Sequence, residues 1–271
     1  ATWSAPRRTT SDRSEVIEAM ALVRVSSMAL SCALFPTFAN SERTAQEIRE
    51  ITQKWTVRQL HEQMRLGWVN LGFRLAHVQP RQEPEIPVVL YPSIYLSARK
   101  RPEIFLDVVE YVHKQTPIKV EMRLHETHLV SEAAMKFSQR DWIWVGPLTA
   151  TRQSYWQALS HTTAFLATTD QESYGITYVE ALGAGAIGVF PDLDWARALV
   201  PPDYPFFYRT VEEARNMLWQ AVVNPAEARR KLDACAGGNI QEWIGAHHSD
   251  DAFDEALVKA VTEWLGFIET S

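Results

Sequence analysis

Between Thr163 and Gly185 the chain spells a short apolar run, a polar turn and a helix, and this order constrains the fold more than any other stretch. Thr163-Ala-Phe-Leu-Ala-Thr-Thr169 reads as a buried strand bounded by polar residues. Gly175 to Leu182 reads as a helix, closed by Gly183 and Gly185. A strand that passes into a helix through a tight turn aims the helix's unpaired N–H groups and positive dipole end at one spot. An anion, most simply a phosphate, fits there. Glu172 lies in the turn beside that spot, and Glu180 lies further along the helix. Carboxylates repel phosphate, so their expected work is to accept hydrogen bonds from hydroxyls flanking it. A molecule with hydroxyls on both sides of a diphosphate is a nucleotide sugar.

The same alternation runs through the surrounding chain. Val88–Tyr91 predicts a strand, and Pro102 opens a helix whose apolar face is Ile104, Phe105, Val108, Val109 and Val112. Ile118, Val120, Met122 and Leu124 alternate as a strand does. Trp142–Val145 is a strand ending at a Gly146-Pro147 turn, followed by a helix over Gln153–Leu159. A strand is expected over Ala186–Phe190, then helices over 211–223, 226–244 and 252–267. Repeated β–α units predict an α/β fold with a doubly wound parallel sheet, which binds ligands at the carboxyl ends of its strands.

The N-terminal part reads differently. A polar arm over 1–13 precedes a helix capped by Ser14 and running through Val16, Ile17 and Met20. Ala29–Phe35 predicts a buried strand stopped by Pro36. Thr44–Glu47 and Thr56–Gln59 each have capping-box spacing, the first ahead of Ile48, Ile51 and Trp55, the second ahead of Leu60 and Met64. Pro80, Pro84 and Pro87 mark a linker. The expected domains are 1–82, a reduced N-terminal domain, and 83–250, a nucleotide-sugar-binding domain. Residues 251–271 then form a C-terminal helix expected to pack back towards the N-terminal part.

Composition sets limits on function. With 46% hydrophobic and 22% charged residues among 271, the chain is of ordinary soluble globular type. Its ten tryptophans belong mostly to the core, with some suited to stacking on a sugar or base. Two distant cysteines make no disulfide framework or metal motif, so a reducing, cytoplasmic setting is expected. Val25–Phe38 is too short and too polar to span a bilayer, and the start lacks a secretory apolar run. It also lacks an initiator Met, which points to processing or to a piece of a longer chain. Residues 1–82 carry 11 Lys and Arg against 7 Asp and Glu, whereas 83–271 carry 16 against 26. A basic minor part on an acidic chain hints at an anionic partner, with a chance excess of exposed Arg as the plain alternative.

Glu172 and Glu180, with Tyr174-Gly-Ile176 between them and Ala181 after the second, resemble the signature of retaining GT-B glycosyltransferases of the large fourth family. The resemblance spans about 88–225. Pro191-Asp-Leu-Asp-Trp195 and Pro202-Asp-Tyr-Pro-Phe-Phe-Tyr208 look like the segments that follow the double-Glu helix in that family. More narrowly, Leu90-Tyr-Pro92, Lys100-Arg-Pro-Glu103, the turn ending at Pro147 with Tyr155 beyond it, and Val189-Phe-Pro191 are similar to the tRNA-queuosine mannosyltransferase-like branch. Residues 14–82 look only faintly like the end of the family's N-terminal domain, and the chain is short for a complete enzyme. The family therefore implies a GT-B type α/β fold with a reduced or truncated N-terminal domain.

It also implies roles. Glu172 would contact the donor-sugar hydroxyls and Glu180 the ribose. Backbone amides over Ser173, Tyr174, Gly175 and Ile176 would hold the diphosphate, and Gly146 and Pro147 would touch the nucleobase. Arg99 or Lys100 would neutralise the departing diphosphate, a cation acting where negative charge grows; a solvated basic turn is the plain alternative. The family's preceding Arg is Ile94 or Tyr95 here. No cofactor or metal is implied beyond a UDP- or GDP-sugar donor. The basic N-terminal part and the queuosine-type resemblance together point to a nucleic-acid acceptor, such as a modified base.

Three further motifs carry less. Gly183-Ala-Gly185-Ala-Ile-Gly188 spells a dinucleotide fingerprint but closes a helix where that motif must open one. His125 and His128 lack the spacing of a metalloprotease pair, although His125 or Glu126 could face the cleft. His247-His248 reads as a solvated helix end. Two rival functions stay open: a glycosidase using Glu172 and Glu180 as its carboxylate pair, and a non-catalytic nucleotide-sugar-binding module.

Overall fold

The structure, a computed structural model, describes residues 10–148 and 151–265, with the side chains of 10–17 and 265 left aside. Most of the expected polar arm, and the last two residues of the expected C-terminal helix, lie outside the described residues. The chain divides into two compact units, Ala1–Asn70 and Leu71–Ser271.

In the first unit, α1 (Thr10–Leu34) is one long helix, followed by β1 (Thr37–Ala39), α2 (Glu42–Trp55), α3 (Arg58–Glu62) and β2 (Leu66–Trp68). The strand expected over Ala29–Phe35 is helical instead. Ala and Leu dominate that stretch, nothing before Phe35 breaks a helix, and Pro36 biases the residue ahead of it out of the helical region. Ala29, Cys32 and Ala33 are buried at helical spacing. Neither expected capping box forms as read. Ser41 caps α2 by accepting from the Thr44 N–H at 3.2 Å, and Thr56 donates back to the Thr52 carbonyl at 2.8 Å. β1 and β2 pair in parallel, Thr37 opposite Leu66.

The second unit is built on six parallel strands: β3 (Val88–Tyr91), β4 (Lys119–Leu124), β5 (Ile143–Pro147), β6 (Ala164–Leu166), β7 (Ile187–Pro191) and β8 (Phe207–Tyr208). Their order across the sheet is β5-β4-β3-β6-β7-β8. The chain therefore builds outward from β3 to one edge, returns to β6 on the other side of β3, and builds to the opposite edge. The helices are α4 (Pro102–Gln115), α5 (Glu126–Leu129), α6 (Glu132–Ser138), α7 (Arg152–His161), α8 (Ile176–Gly183), α9 (Asp194–Arg197), α10 (Val211–Val223), α11 (Pro225–Cys235), α12 (Ile240–His248) and α13 (Asp250–Leu265).

The helix expected over 226–244 is two helices, broken at Gly237-Gly238, after which Asn239 caps α12 through the N–H groups of Gln241 and Glu242. The proline-rich stretch read as a linker is fastened to the second unit. The Gln82 N–H donates to the Ser160 carbonyl at 3.0 Å, and Glu83 sits between Arg81 and Arg229 at 2.9 and 2.6 Å.

β6 is buried along its whole length, and its Phe165 ring meets Phe190 edge-on at 5.3 Å and Tyr178 at 5.9 Å. Replacing Phe165 by Ala should lower the unfolding free energy of this unit by about 3–5 kcal/mol, the range for deleting a buried aromatic. Val130→Ala, at a position 80% exposed, should stay within about 0.5 kcal/mol. Urea titration of both variants checks the contrast.

Candidate functional site

The reversal of strand order puts the carboxyl ends of β3 and β6 side by side, the place where open parallel sheets receive ligands. Two loops leave from there. The first runs from Pro92 to Arg101 and contains the Arg99-Lys100 pair; the second runs from Ala167 to Gly175 and contains Glu172. They are tied together through threonine hydroxyls. Thr168 donates to the Lys100 carbonyl at 2.6 Å, and Thr169 donates to the Arg99 carbonyl at 3.0 Å. Side chains complete the join: Arg101 meets Asp170 at 2.6 Å, and the Lys100 ammonium forms an ion pair with Glu172 Oε2. Lys100 and Glu172 are both largely shielded from solvent, which weakens screening between them. The Arg99 side chain is exposed.

α8 starts at this join. Gly175 occupies its N-cap with φ +96° and provides no side chain to cap it. A Cβ there would lie 2.6 Å from Tyr178 Cδ2 and 3.3 Å from Glu172 Cγ, so both the backbone angle and the space require glycine. The first-turn amides of this eight-residue helix thus begin beside Lys100 and Glu172. Ser173 is exposed and Ile176 half-buried, whereas the Tyr174 ring turns inward. Thr177 donates to the Pro92 carbonyl at 3.2 Å, fixing α8 to the first loop as well. Tyr178 is buried and hydrogen-bonds Glu172; burial first, and the Glu172 charge second, push its hydroxyl well above the usual phenol range.

Glu180 has a different setting. It is 3% exposed, and its two oxygens accept from Arg152 Nη2 and from the Tyr155 hydroxyl, each at 2.8 Å. Both donors lie on α7, which follows β5. The Arg152 guanidinium also lies 5.5 Å from the Tyr155 ring centre. Burial, reinforced by Glu180, raises the Tyr155 hydroxyl far above its ordinary value, so it stays a donor. Gly146 and Pro147 fall inside β5 and not in a turn, paired with Arg123 and Leu124 of β4. They stand at the same edge of the sheet, two strands from β3.

The sequence reading of His247-His248 is corrected. Only His247 is exposed; His248 is 2% exposed, accepts from the Tyr174 hydroxyl at Nδ1 (2.7 Å) and donates from Nε2 to the Leu199 carbonyl (3.1 Å). A carbonyl only accepts, so Nε2 carries a proton, and burial, which disfavours the charged ring, leaves Nδ1 bare to accept from Tyr174. His125 caps α5, and its backbone N–H donates to the Ile94 carbonyl at 2.9 Å. Tyr95 sits between the His125 and His128 rings at 5.8 and 5.4 Å. Among the described residues no group of three His, Cys, Asp or Glu is placed to hold a metal ion, and no helix is long and apolar enough to cross a membrane. The fingerprint-like glycines close α8 and enter β7, with Gly185 at φ +84° ending the helix.

No family model matches this sequence, and no curated protein does. Solved structures do. Sucrose-phosphate synthase from Thermosynechococcus elongatus superposes with a TM-score of 0.68 at 12% identity, over 90% of this chain and 62% of its own. HepE from Anabaena, solved with UDP and glucose, gives 0.65 at 15% identity, over 91% and 68%. TarM from S. aureus, solved with UDP among its ligands, gives 0.63 at 14% identity, over 86% and 45%. The fold is of the GT-B type. At these identities the likeness concerns the fold, and the chain spans 45% to 68% of the lengths of these three proteins.

Burial and the nearby His247 hold the His248 pKa down to about 4, against the opposing pull of the Leu199 carbonyl. In the unfolded chain the ring titrates near 6.5, so the unfolded state binds the extra proton first as pH falls. The stability tied to neutral His248 is whole above about pH 6.5 and is lost progressively towards pH 4, by as much as about 3 kcal/mol at 1.36 kcal/mol per unit. Urea unfolding of wild type and His248→Gln across that window should show a visibly shallower pH slope for the variant; equal slopes would contradict this.

Proposed function

We propose that this chain is a retaining glycosyltransferase that moves a hexose from a UDP-sugar, or a close nucleoside-diphosphate relative, to an acceptor hydroxyl or amine. The observation that carries the reading is the Lys100–Glu172 ion pair at the switch point, beside a helix start that glycine leaves uncapped. That grouping suits a diphosphate with a sugar attached. The α8 amides and dipole favour the phosphates. Lys100, held by Glu172 beside that helix start, has its ammonium where it can turn to the charge that grows on the diphosphate as the glycosidic bond breaks. Glu172, steadied by Tyr178, then accepts from donor-sugar hydroxyls. Glu180, clamped by Arg152 and Tyr155, takes the ribose. Gly146 and Pro147, at the same edge of the sheet, would meet the base.

Attack from the face that the diphosphate leaves gives retention, the acceptor proton passing to the departing phosphate oxygen. Cationic side chains and amides handle the phosphate charge in this scheme, so transfer should survive excess EDTA. The UDP found with TarM and HepE supports the choice of nucleotide. A nucleic-acid acceptor belongs to the same proposal, on the basic balance of residues 1–82. The glycosidase alternative fits less well, because one of its carboxyls must deliver a proton while here Glu172 and Glu180 each face a cation.

Titration calorimetry with UDP, GDP and ADP, followed by anomer-resolved NMR of the product, tests the reading. Lys100→Met should cut transfer about 10²–10³-fold, the cost of removing one group that stabilises developing charge. Glu180→Gln should weaken nucleotide binding by roughly tenfold, in the range for a hydrogen bond to a charged group. Unchanged transfer and binding in both variants, or an inverted product anomer, would sink the assignment. Acceptor binding should fall steeply with salt if the acceptor is a nucleic acid, and a flat response would remove that part.

A further inference from the structure

The turn between Glu172 and α8 is fixed from behind by a contact that neither catalysis nor packing alone explains. Tyr174 lies within it, 4% exposed, with its hydroxyl 2.7 Å from His248 Nδ1 at the end of α12. The far side of the ring is occupied too, Nε2 donating to the Leu199 carbonyl at 3.1 Å. With a partner on each nitrogen, the imidazole has one orientation and one tautomer, and it presents a bare acceptor to Tyr174. The backbone of His248 is also held. Its carbonyl accepts from the Phe73 N–H at 3.0 Å, and the Asp250 N–H returns to the Phe73 carbonyl at 2.8 Å. Gly72 allows that pairing, since a Cβ there would stand 2.3 Å from the Ser249 oxygen.

Phe73 in turn lies against Gly183 at the other end of α8, where a Cβ would come within 2.6 Å of its ring. One short chain pairing, 72–75 with 248–250, therefore bears on both ends of α8. At the start it acts through the Tyr174–His248 hydrogen bond, and at the finish through Phe73. A Phe at 174 packed on an apolar residue at 248 would fill the same space without burying a hydroxyl and an imidazole. The polar pair adds direction, because a hydrogen bond sets the angle of the Tyr174 ring where packing alone would not.

We propose that His248 is a positioning residue for the donor: by fixing the Tyr174 ring it sets the backbone of Ser173 to Ile176 in the shape that receives the diphosphate. This rests on the donor-site reading above. It assigns His248 no contact with substrate, only a hold on the turn that makes one.

The test uses Tyr174→Phe, His248→Gln and the double variant of the full chain, with near-UV circular dichroism to confirm folding. Calorimetry against whichever of UDP, GDP or ADP wild type binds best should give roughly three- to tenfold weaker binding in each single variant, the scale of one lost hydrogen bond. The double variant should be no weaker than the weaker single, because all three lose the same bond. In steady state the KM for the nucleotide sugar should rise while kcat changes much less. A lower melting temperature with unchanged nucleotide affinity would overturn the proposal and leave His248 a packing residue. If His248→Gln fails to fold, Tyr174→Phe, which removes one oxygen, decides alone, and wild-type affinity in it would overturn the proposal. Wild type binding no nucleoside diphosphate would overturn the donor-site reading and this proposal together; wild-type binding with no change in Tyr174→Phe would overturn only this one.

Discussion

The bonds from Thr168 and Thr169 to the carbonyls of Lys100 and Arg99 are what the candidate site depends on. They join the loops that leave β3 and β6, the two strands on either side of the reversal in the sheet. Without them a basic loop and an acidic loop would meet only through long, mobile side chains, and exposed ion pairs of that kind contribute little. Neutral hydrogen bonds between short groups fix the backbones first, at roughly 0.5–1.5 kcal/mol each. The Lys100 ammonium then reaches Glu172 with little freedom left to lose, in surroundings dry enough for the attraction to count. Thr177 adds the third tie, from α8 back to Pro92, so helix start, acid and base share one frame.

The two glutamates of the motif do different physical work. Glu172 sits at the mouth of the switch point, against a lysine that a bound anion could draw away. Glu180 is enclosed, both oxygens engaged by α7, through the mostly exposed Arg152 and the half-buried Tyr155, whose ring packs against the core. A ribose arriving at Glu180 would compete with Arg152 more easily than with Tyr155. The division matches a donor that is held at its nucleoside end and handled at its sugar end.

Much of this was legible in the residues because the informative signals are local. The strand–turn–helix at 163–185 announces itself through apolar run, polar turn and closing glycines, and the β–α alternation after Val88 follows from period and punctuation. Where the reading failed, the cause was long-range contact. Ala29–Phe35 is apolar enough for a strand, and only its continuity with a helix that packs Ala29, Cys32 and Ala33 inward settles the choice. His248 looked like a solvated helix end because its partners, Tyr174 and Leu199, lie 74 and 49 residues away. Arg152 carried no signal at all, since nothing in its neighbours says that the helix it opens faces Glu180. The pairing of Lys100 with Glu172 was likewise hidden, because 72 residues separate the two.

The central claim is that the join between the β3 and β6 loops holds a nucleoside diphosphate. A crystal structure of the protein with UDP tests it most directly. The account predicts the phosphates at the start of α8, within hydrogen-bond reach of the Gly175 and Ile176 amides, with Lys100 turned from Glu172 towards them and the ribose at Glu180. Phosphates bound elsewhere, with the Lys100–Glu172 pair undisturbed, would contradict it.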